Sequence, residues 1–274
     1  MDHHDCSVDY KGEKMGKVMF FDVDGTLFRR ECLVPDSTVK AIRKAVDNGH
    51  YAFLCTGRGA SEMPEEVKAL PLHGEVCQCG TYVKVGEEVV VDAAVTGEDC
   101  QKIFQILKQY DCPFFIENPD YFYYDSEYIP DGFEKMIHII KSNYPGGVKT
   151  MDELDDRIAK ITGYPQRREN IPAIREALSP WFYVIDHEEY DYIEIILNGY
   201  TKGTGIEAVM KTMGISREDT YGFGDSMNDI PMLETVGTAV VMGEAPDALK
   251  EKYLVTDGIK EDGLANALKM LGLA

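Results

Sequence analysis

Two aspartates, Asp22 and Asp24, follow an apolar run in Val18-Met19-Phe20-Phe21-Asp22-Val23-Asp24-Gly25-Thr26. The pattern reads as a buried strand that delivers two carboxylates and a glycine into one loop. At roughly 5 Å and an effective dielectric of about 20, two carboxylates repel by about 3 kcal/mol. A bound divalent cation is the simplest way to offset that repulsion. Far downstream, Asp225 and Asp229 add two more carboxyl groups. A carboxylate can attack phosphorus and form an acyl-phosphate. A second carboxyl two residues on can protonate the leaving oxygen and then activate water. The hydroxyl of Thr56 and the ammonium of Lys202 can hold phosphate oxygens. Further carboxylates can complete an oxygen shell around Mg²⁺. These residue types together point to Mg²⁺-dependent phosphoryl chemistry.

Such residues need elements that bring them together. A helix is expected over about 36–48, capped by Asp36 or Ser37, with Val39, Ile42 and Val46 on one face and Gly49 ending it. Tyr51-Ala52-Phe53-Leu54-Cys55 reads as a second apolar strand that ends at Thr56-Gly57-Arg58. Another helix is expected before Leu70. Short alternating strands and helices indicate a parallel sheet covered on both faces. The texture changes near Gly80. A hairpin is expected around Gly86-Glu87-Glu88, then a helix through Ile103 and Leu107, then aromatic-rich strands at 113–117 and 121–124. Trp181 also lies in this middle third, which reads as a separate α+β module whose aromatics form its own core. After Asn198-Gly199 the α/β rhythm returns. A helix is expected over about 203–213, a strand ending in Phe223-Gly224-Asp225, a helix from near Met227, a strand at 238–242 and a last helix through Leu264 and Leu268. The candidate residues thus fall on loops at or beside the carboxyl ends of strands, where open parallel sheets bind ligands.

The bulk properties narrow the class. A chain of 274 residues suggests about two domains. The formal net charge of −20 disfavours nucleic acid and anionic membranes as partners. Seven scattered cysteines show neither a zinc pattern nor a C-x-x-C motif, which suits reduced thiols in the cytoplasm. No stretch is long and apolar enough for a membrane span. Residues 1–16, with His3 and His4, read as a flexible tail. Competing motifs fail on their own terms. An EF-hand starting at Asp22 would need Gly and Glu where Leu27 and Leu33 stand. A dinucleotide loop at Gly222-Phe223-Gly224 would need glycine at Met227, and Gly199-Tyr200-Thr201-Lys202 does not complete a Walker A loop. Arg58 suits an ion pair within the core better than a substrate contact.

The constellation resembles the haloacid dehalogenase superfamily. The first motif, D-x-D-G-T, is met by Asp22-Val23-Asp24-Gly25-Thr26, and the second-motif hydroxyl by Thr56 in Cys55-Thr56-Gly57-Arg58. The third-motif lysine is met by Lys202, and the fourth motif by Gly224-Asp225-Ser226-Met227-Asn228-Asp229. The set looks like the Cof-type subfamily of sugar-phosphate phosphatases with a large α/β cap, and covers the chain from Lys17 onward. The resemblance implies a doubly wound Rossmann-like α/β core over 17–80 and 196–274, with an inserted α+β cap over 81–195. It implies Asp22 as nucleophile and Asp24 as general acid and base. It implies Thr56, Gly57, Lys202 and Asn228 as phosphate binders. It implies Asp22, Asp24 (by its backbone carbonyl), Asp225 and Asp229 around Mg²⁺. One position departs: Cys79 stands where the family often has asparagine, which leaves a polar contact there in question. The expected activity is a cytoplasmic phosphatase acting on a small phosphorylated metabolite, as monomer or small homo-oligomer, with no nucleic-acid or membrane partner. Two alternatives carry the same residues: a phosphomutase, and a non-catalytic sensor of phosphorylated ligands. Intact Asp22 and Asp24 speak against the sensor.

Overall fold

The computed structural model describes residues 16–29, 33–155, 157–188 and 191–274. Most of the expected tail, residues 1–15 with His3 and His4, lies outside the described residues. Contacts divide the chain into two compact units.

The first unit comprises the described residues up to Gly57, with Met63–Val91 and Thr201–Ala274. In chain order it contains β1 (Val18–Phe21), α1 (Asp36–Asp47), β2 (Tyr51–Cys55), α2 (Glu65–Lys68), β3 (Gly74–Cys77), β4 (Tyr82–Val85) and β5 (Glu88–Asp92). The last residue of β5 falls to the second unit. That unit comprises Arg58–Glu62 and Asp92–Tyr200. Its elements are β6 (Val95–Thr96), α3 (Glu98–Gln109), β7 (Phe114–Glu117), β8 (Phe122–Tyr124), α4 (Phe133–Asn143), β9 (Val148–Thr150), β10 (Arg157–Ile158), β11 (Lys160–Gly163), α5 (Ile171–Leu178), β12 (Phe182–His187) and β13 (Tyr192–Leu197). The first unit resumes with α6 (Lys202–Met213), β14 (Thr220–Gly224), α7 (Ile230–Thr235), β15 (Thr238–Val241), α8 (Asp247–Lys250), β16 (Leu254–Val255) and α9 (Gly263–Met270).

The eight-stranded sheet of the first unit runs β16-β15-β14-β1-β2-β3-β4-β5. Parallel pairing extends from β16 through β3, and β4 pairs antiparallel to β3. β1 is wholly buried because it is apolar on both faces and flanked by β2 and β14. From β1 the chain winds to β2 and β3 on one side and later to β14 and β15 on the other. The gap between β1 and β14 is therefore the topological switch point, where such sheets bind ligands. The hairpin Tyr82–Asp92 extends this sheet. The compact units divide at 91 and 200, where the resemblance implied limits of 80 and 195. β4 pairs onto the edge of β3, and β5 follows it as the last strand of the sheet.

The second unit has a six-stranded sheet of order β12-β13-β11-β7-β8-β9. One face presents Phe114, Ile116, Ile161, Ile193 and Ile195 to Ile103, Leu107, Ile174 and Leu178 of α3 and α5. On the other face, Phe115, Phe122 and Tyr124 pack with Phe133 and Ile137 of α4. The aromatic middle third is therefore the core of its own unit. Most expected elements stand where periodicity put them. The start of α1 differs: Pro35 occupies the N-cap, and neither Asp36 nor Ser37 caps the helix with its side chain. Asp36 instead lies in the first turn, where its charge favours the helix dipole. Gly49 ends α1 with φ +87°, the left-handed conformation that glycine adopts without penalty.

Candidate active site

Parallel pairing brings the carboxyl ends of β2, β1 and β14 to one edge of the first sheet, side by side. Asp22 follows β1 directly, and its backbone N–H donates to Phe223 O of β14 at 2.9 Å. Asp225 follows β14. Thr56 follows β2, with its N–H bonded to Val76 O at 2.8 Å. Three sequence-distant segments are thus held in register by sheet hydrogen bonds.

The loop after β1 is folded back tightly. Phe28 N and Leu27 N donate to Val23 O at 2.8 and 3.0 Å, and Gly25 N donates to Phe28 O at 2.9 Å. Gly25 has φ +92°, and a Cβ there would lie 2.1 Å from Asp225 Oδ2. Only glycine lets the two acidic loops approach this closely. Asp24 is exposed, whereas Asp22 is buried.

Lys202 is the first residue of α6 and is 1% exposed. A capping box positions it: Thr201 Oγ1 accepts from Thr204 N at 3.1 Å, and Thr204 Oγ1 accepts from Thr201 N at 2.9 Å. Lys202 Nζ donates to Asp22 Oδ1 at 2.6 Å and to Asp229 Oδ1 at 2.5 Å. Asp229 is fully buried, and its Oδ2 accepts from Asp225 N at 2.9 Å and Ser226 N at 3.0 Å. Both of its oxygens are therefore engaged, which makes it a brace between Lys202 and the Asp225 loop. Gly224 makes room for that brace, since a Cβ there would lie 2.6 Å from Asp229 Cγ.

One carboxylate oxygen each from Asp22, Asp225 and Asp229 lie within 4.8 Å of one another. Asp225 Oδ1 is buried and accepts no hydrogen bond. Three carboxylates and one ammonium leave the cluster with a formal charge near −2, which a divalent cation would cancel. The hard oxygen donors and the unsatisfied Asp225 oxygen fit a cation such as Mg²⁺. The electrostatics agree. Burial and the charge of Asp229 raise the Asp22 carboxyl well above its usual range, against the pull of Lys202. Burial, with Asp229 beside it, pushes Asp225 up to about 7. Burial alone would lower Lys202, but the carboxylates of Asp22 and Asp229 hold its ammonium far above the ordinary lysine range.

Of the residues singled out by sequence, Asp22, Lys202, Asp225 and Asp229 form one cluster. Thr56 is buried at the end of the neighbouring strand, with Gly57 half-buried after it. Asn228 is exposed, and its Oδ1 accepts from Ser226 Oγ at 2.7 Å. Cys79 is buried with φ +55° and donates its N–H to Thr56 O at 3.1 Å. That position therefore reaches the second-motif loop through its backbone. Arg58, expected in an ion pair within the core, donates to Glu62 O and to Tyr144 Oη and groups with the second unit. Sequence reasoning passed over Arg29, whose charge acts on Asp225, and Ser226, whose hydroxyl caps the turn carrying Asp229. The Ser-x-x-Asp spacing was the signal for the latter.

The comparisons with known proteins converge on these residues' family. Residues 19–268 match the family model described as haloacid dehalogenase-like hydrolase. The 5-amino-6-(5-phospho-D-ribitylamino)uracil phosphatase YitU of Bacillus subtilis is 28% identical over 267 residues, covering 90% of this chain and 94% of its own length. Among solved structures, the phosphatase BT1666 from Bacteroides thetaiotaomicron superposes with a TM-score of 0.81 at 25% identity, covering 96% of this chain and 98% of its own. The subclass IIB sugar phosphatase BT4131 gives 0.77 at 26% identity, covering 94% and 100%.

Proposed function

Because the chain belongs to the haloacid dehalogenase-like hydrolases, we propose that it is a Mg²⁺-dependent phosphatase acting on a small phosphorylated metabolite through an aspartyl-phosphate. The observation that carries this reading is the buried cluster of Asp22, Lys202, Asp225 and Asp229, with one Asp225 oxygen left without a partner. Asp22, Asp225 and Asp229 would hold the cation with the Asp24 carbonyl, and the bound ion would supply positive charge to the phosphoryl oxygens.

Asp22 is the nucleophile. Its carboxylate oxygen forms a bond to phosphorus while the bond from phosphorus to the ester oxygen breaks. Asp24, exposed beside it, gives its proton to the departing alcohol oxygen. In the second half, Asp24 takes a proton from water, the water oxygen attacks phosphorus, and the Asp22 carboxylate is regenerated as phosphate leaves. Lys202 donates to Asp22 at 2.6 Å and favours its carboxylate form against the opposing effects of burial and Asp229. Thr56, Gly57 and Asn228, with Lys202, bind the phosphoryl oxygens. Positioning and charge stabilisation supply most of the rate in phosphoryl transfer.

The named activities of the relatives make phosphorylated sugars and ribityl-type esters the first compounds to try. The test is a phosphate-release screen over sugar phosphates, nucleotides and cofactor precursors, with and without chelator. Chelator-sensitive release from at least one monoester is expected. Transfer to a second sugar without release of inorganic phosphate would replace this reading with the phosphomutase.

A further inference from the structure

Gly57 and Met63 lie in the first unit, but the five residues between them, Arg58–Glu62, group with the second. This segment begins two residues after Thr56 and closes into a tight turn. Glu62 N donates to Gly59 O at 3.0 Å, and Gly59 N donates back to Glu62 Oε1 at 2.6 Å. Arg58 Nη1 donates to Glu62 O at 2.9 Å and to Tyr144 Oη at 3.0 Å. A Cβ at Gly59 would lie 2.7 Å from Glu62 Oε1 and 3.4 Å from Asn118 O. The backbone is thus pressed down onto a carboxyl that is itself buried.

A carboxyl rarely sits in such a place without partners. Those facing it come from several elements. Glu117 on β7 repels it, while Lys160 on β11 and Arg58 on its own segment attract it. Lys160 Nζ in turn bonds Glu117 Oε2 at 3.1 Å and Glu194 Oε1 at 2.8 Å. Glu194 pairs with His187 at 2.9 Å, and Thr162 Oγ1 donates to Glu117. The charge of Glu117 also reaches the half-buried phenol of Tyr164.

We propose that Glu62 is a positioning residue for phosphate binding: by closing the Arg58–Glu62 turn through Gly59 N–H, its carboxyl fixes the direction in which the chain leaves Thr56 and Gly57. This rests on the reading of Thr56 and Gly57 as phosphate binders. Burial, with Glu117 adding to it, pushes the Glu62 carboxyl up to about 8. Below that pH the group is neutral and Lys160 serves Glu117 and Glu194. Above it, the charged Glu62 meets the repulsion of Glu117, which works against the closed turn. The folded state therefore binds this proton more tightly than the unfolded chain does. The resulting stability is full below the ordinary glutamate range, declines from there to about pH 8, and is gone above it.

The experiment compares wild type, Glu62→Ala and Glu62→Gln, using an aryl phosphate as substrate and inorganic phosphate as inhibitor. Glu62→Ala is expected to raise KM and the phosphate inhibition constant about tenfold, the effect of losing one buried hydrogen bond, with kcat within about twofold. Glu62→Gln keeps the acceptor and restores both constants at pH 7. It should also abolish the loss of phosphate affinity expected of wild type above about pH 8. In urea unfolding, the wild-type midpoint falls between about pH 5 and 8 relative to Glu62→Gln. Unchanged constants in Glu62→Ala, or an equal loss of kcat alone, would overturn the proposal. So would identical pH profiles for wild type and Glu62→Gln, which decides the matter even if Glu62→Ala does not fold. A wild type that releases no phosphate would instead fail the phosphatase reading, and the urea comparison would still report on the Glu62 proton.

Discussion

At Lys202 a single buried ammonium answers two buried carboxylates, at 2.6 Å to Asp22 and 2.5 Å to Asp229. Removing one member of such a set leaves uncompensated charge, which costs about 3–5 kcal/mol. Lys202→Met should therefore lose about that much unfolding free energy in chelator-treated protein, and added Mg²⁺ should recover part of it. Urea denaturation with and without the ion measures this, and unchanged stability would rule out the pairing. The two carboxylates of the first loop have separable roles. Asp22→Asn should abolish turnover, because an amide cannot form the covalent intermediate. Asp24→Asn should slow turnover severely while leaving Mg²⁺ affinity nearly intact, since its contact to the ion would be a backbone carbonyl. Aryl-phosphate turnover and calorimetric Mg²⁺ titration check the pair, and near-normal rates in either variant would refute its assignment.

Among the elements, the turn at α6 and the loop after β1 do the placing. The capping box at Thr201 and Thr204 sets the first turn of α6, and so the origin of the Lys202 side chain. Thr201→Ala should cost about 1 kcal/mol of stability and raise KM more than it lowers kcat; a thermal melt with steady-state kinetics tests both. Gly25 is placed by shape instead. With φ +92° and Asp225 Oδ2 only 2.1 Å from where a Cβ would stand, Gly25→Ala must push the two acidic loops apart. The expected result is a higher Mg²⁺ requirement, read as a right-shifted activation curve. An unshifted curve would mean that the loop relaxes freely.

At the scale of the molecule, the formal charge of −20 surrounds a site read as one for anions. An anionic substrate must approach against that field, so salt should help it. At fixed Mg²⁺, kcat/KM should rise severalfold between about 10 and 150 mM salt, as the Debye length shrinks from about 30 Å to about 8 Å. A fall over the same range would indicate a local cationic funnel strong enough to reverse the sign. Among the described residues, no helix is long and apolar enough to cross a membrane. Each compact unit carries its own apolar cluster.

A carboxylate directly after an apolar strand singled out Asp22 and Asp225 in the chain, because that pattern is written in neighbouring letters, whereas Lys202, just before an expected helix, and Asp229 drew their weight from the motif resemblance. The alternation of strands and helices likewise specified the parallel sheet, since periodicity is a property of short windows. Other features depended on distance in space. Asp229 became a brace because its oxygens meet Lys202 and two backbone N–H groups. The hairpin Tyr82–Asp92 joined the first sheet because β3 offered it an open edge. Glu62 is one acidic residue among 48 in the sequence. Only the packing of β7 and β11 around it gives its carboxyl a buried neighbour of like charge, and no reading of adjacent residues contains that field.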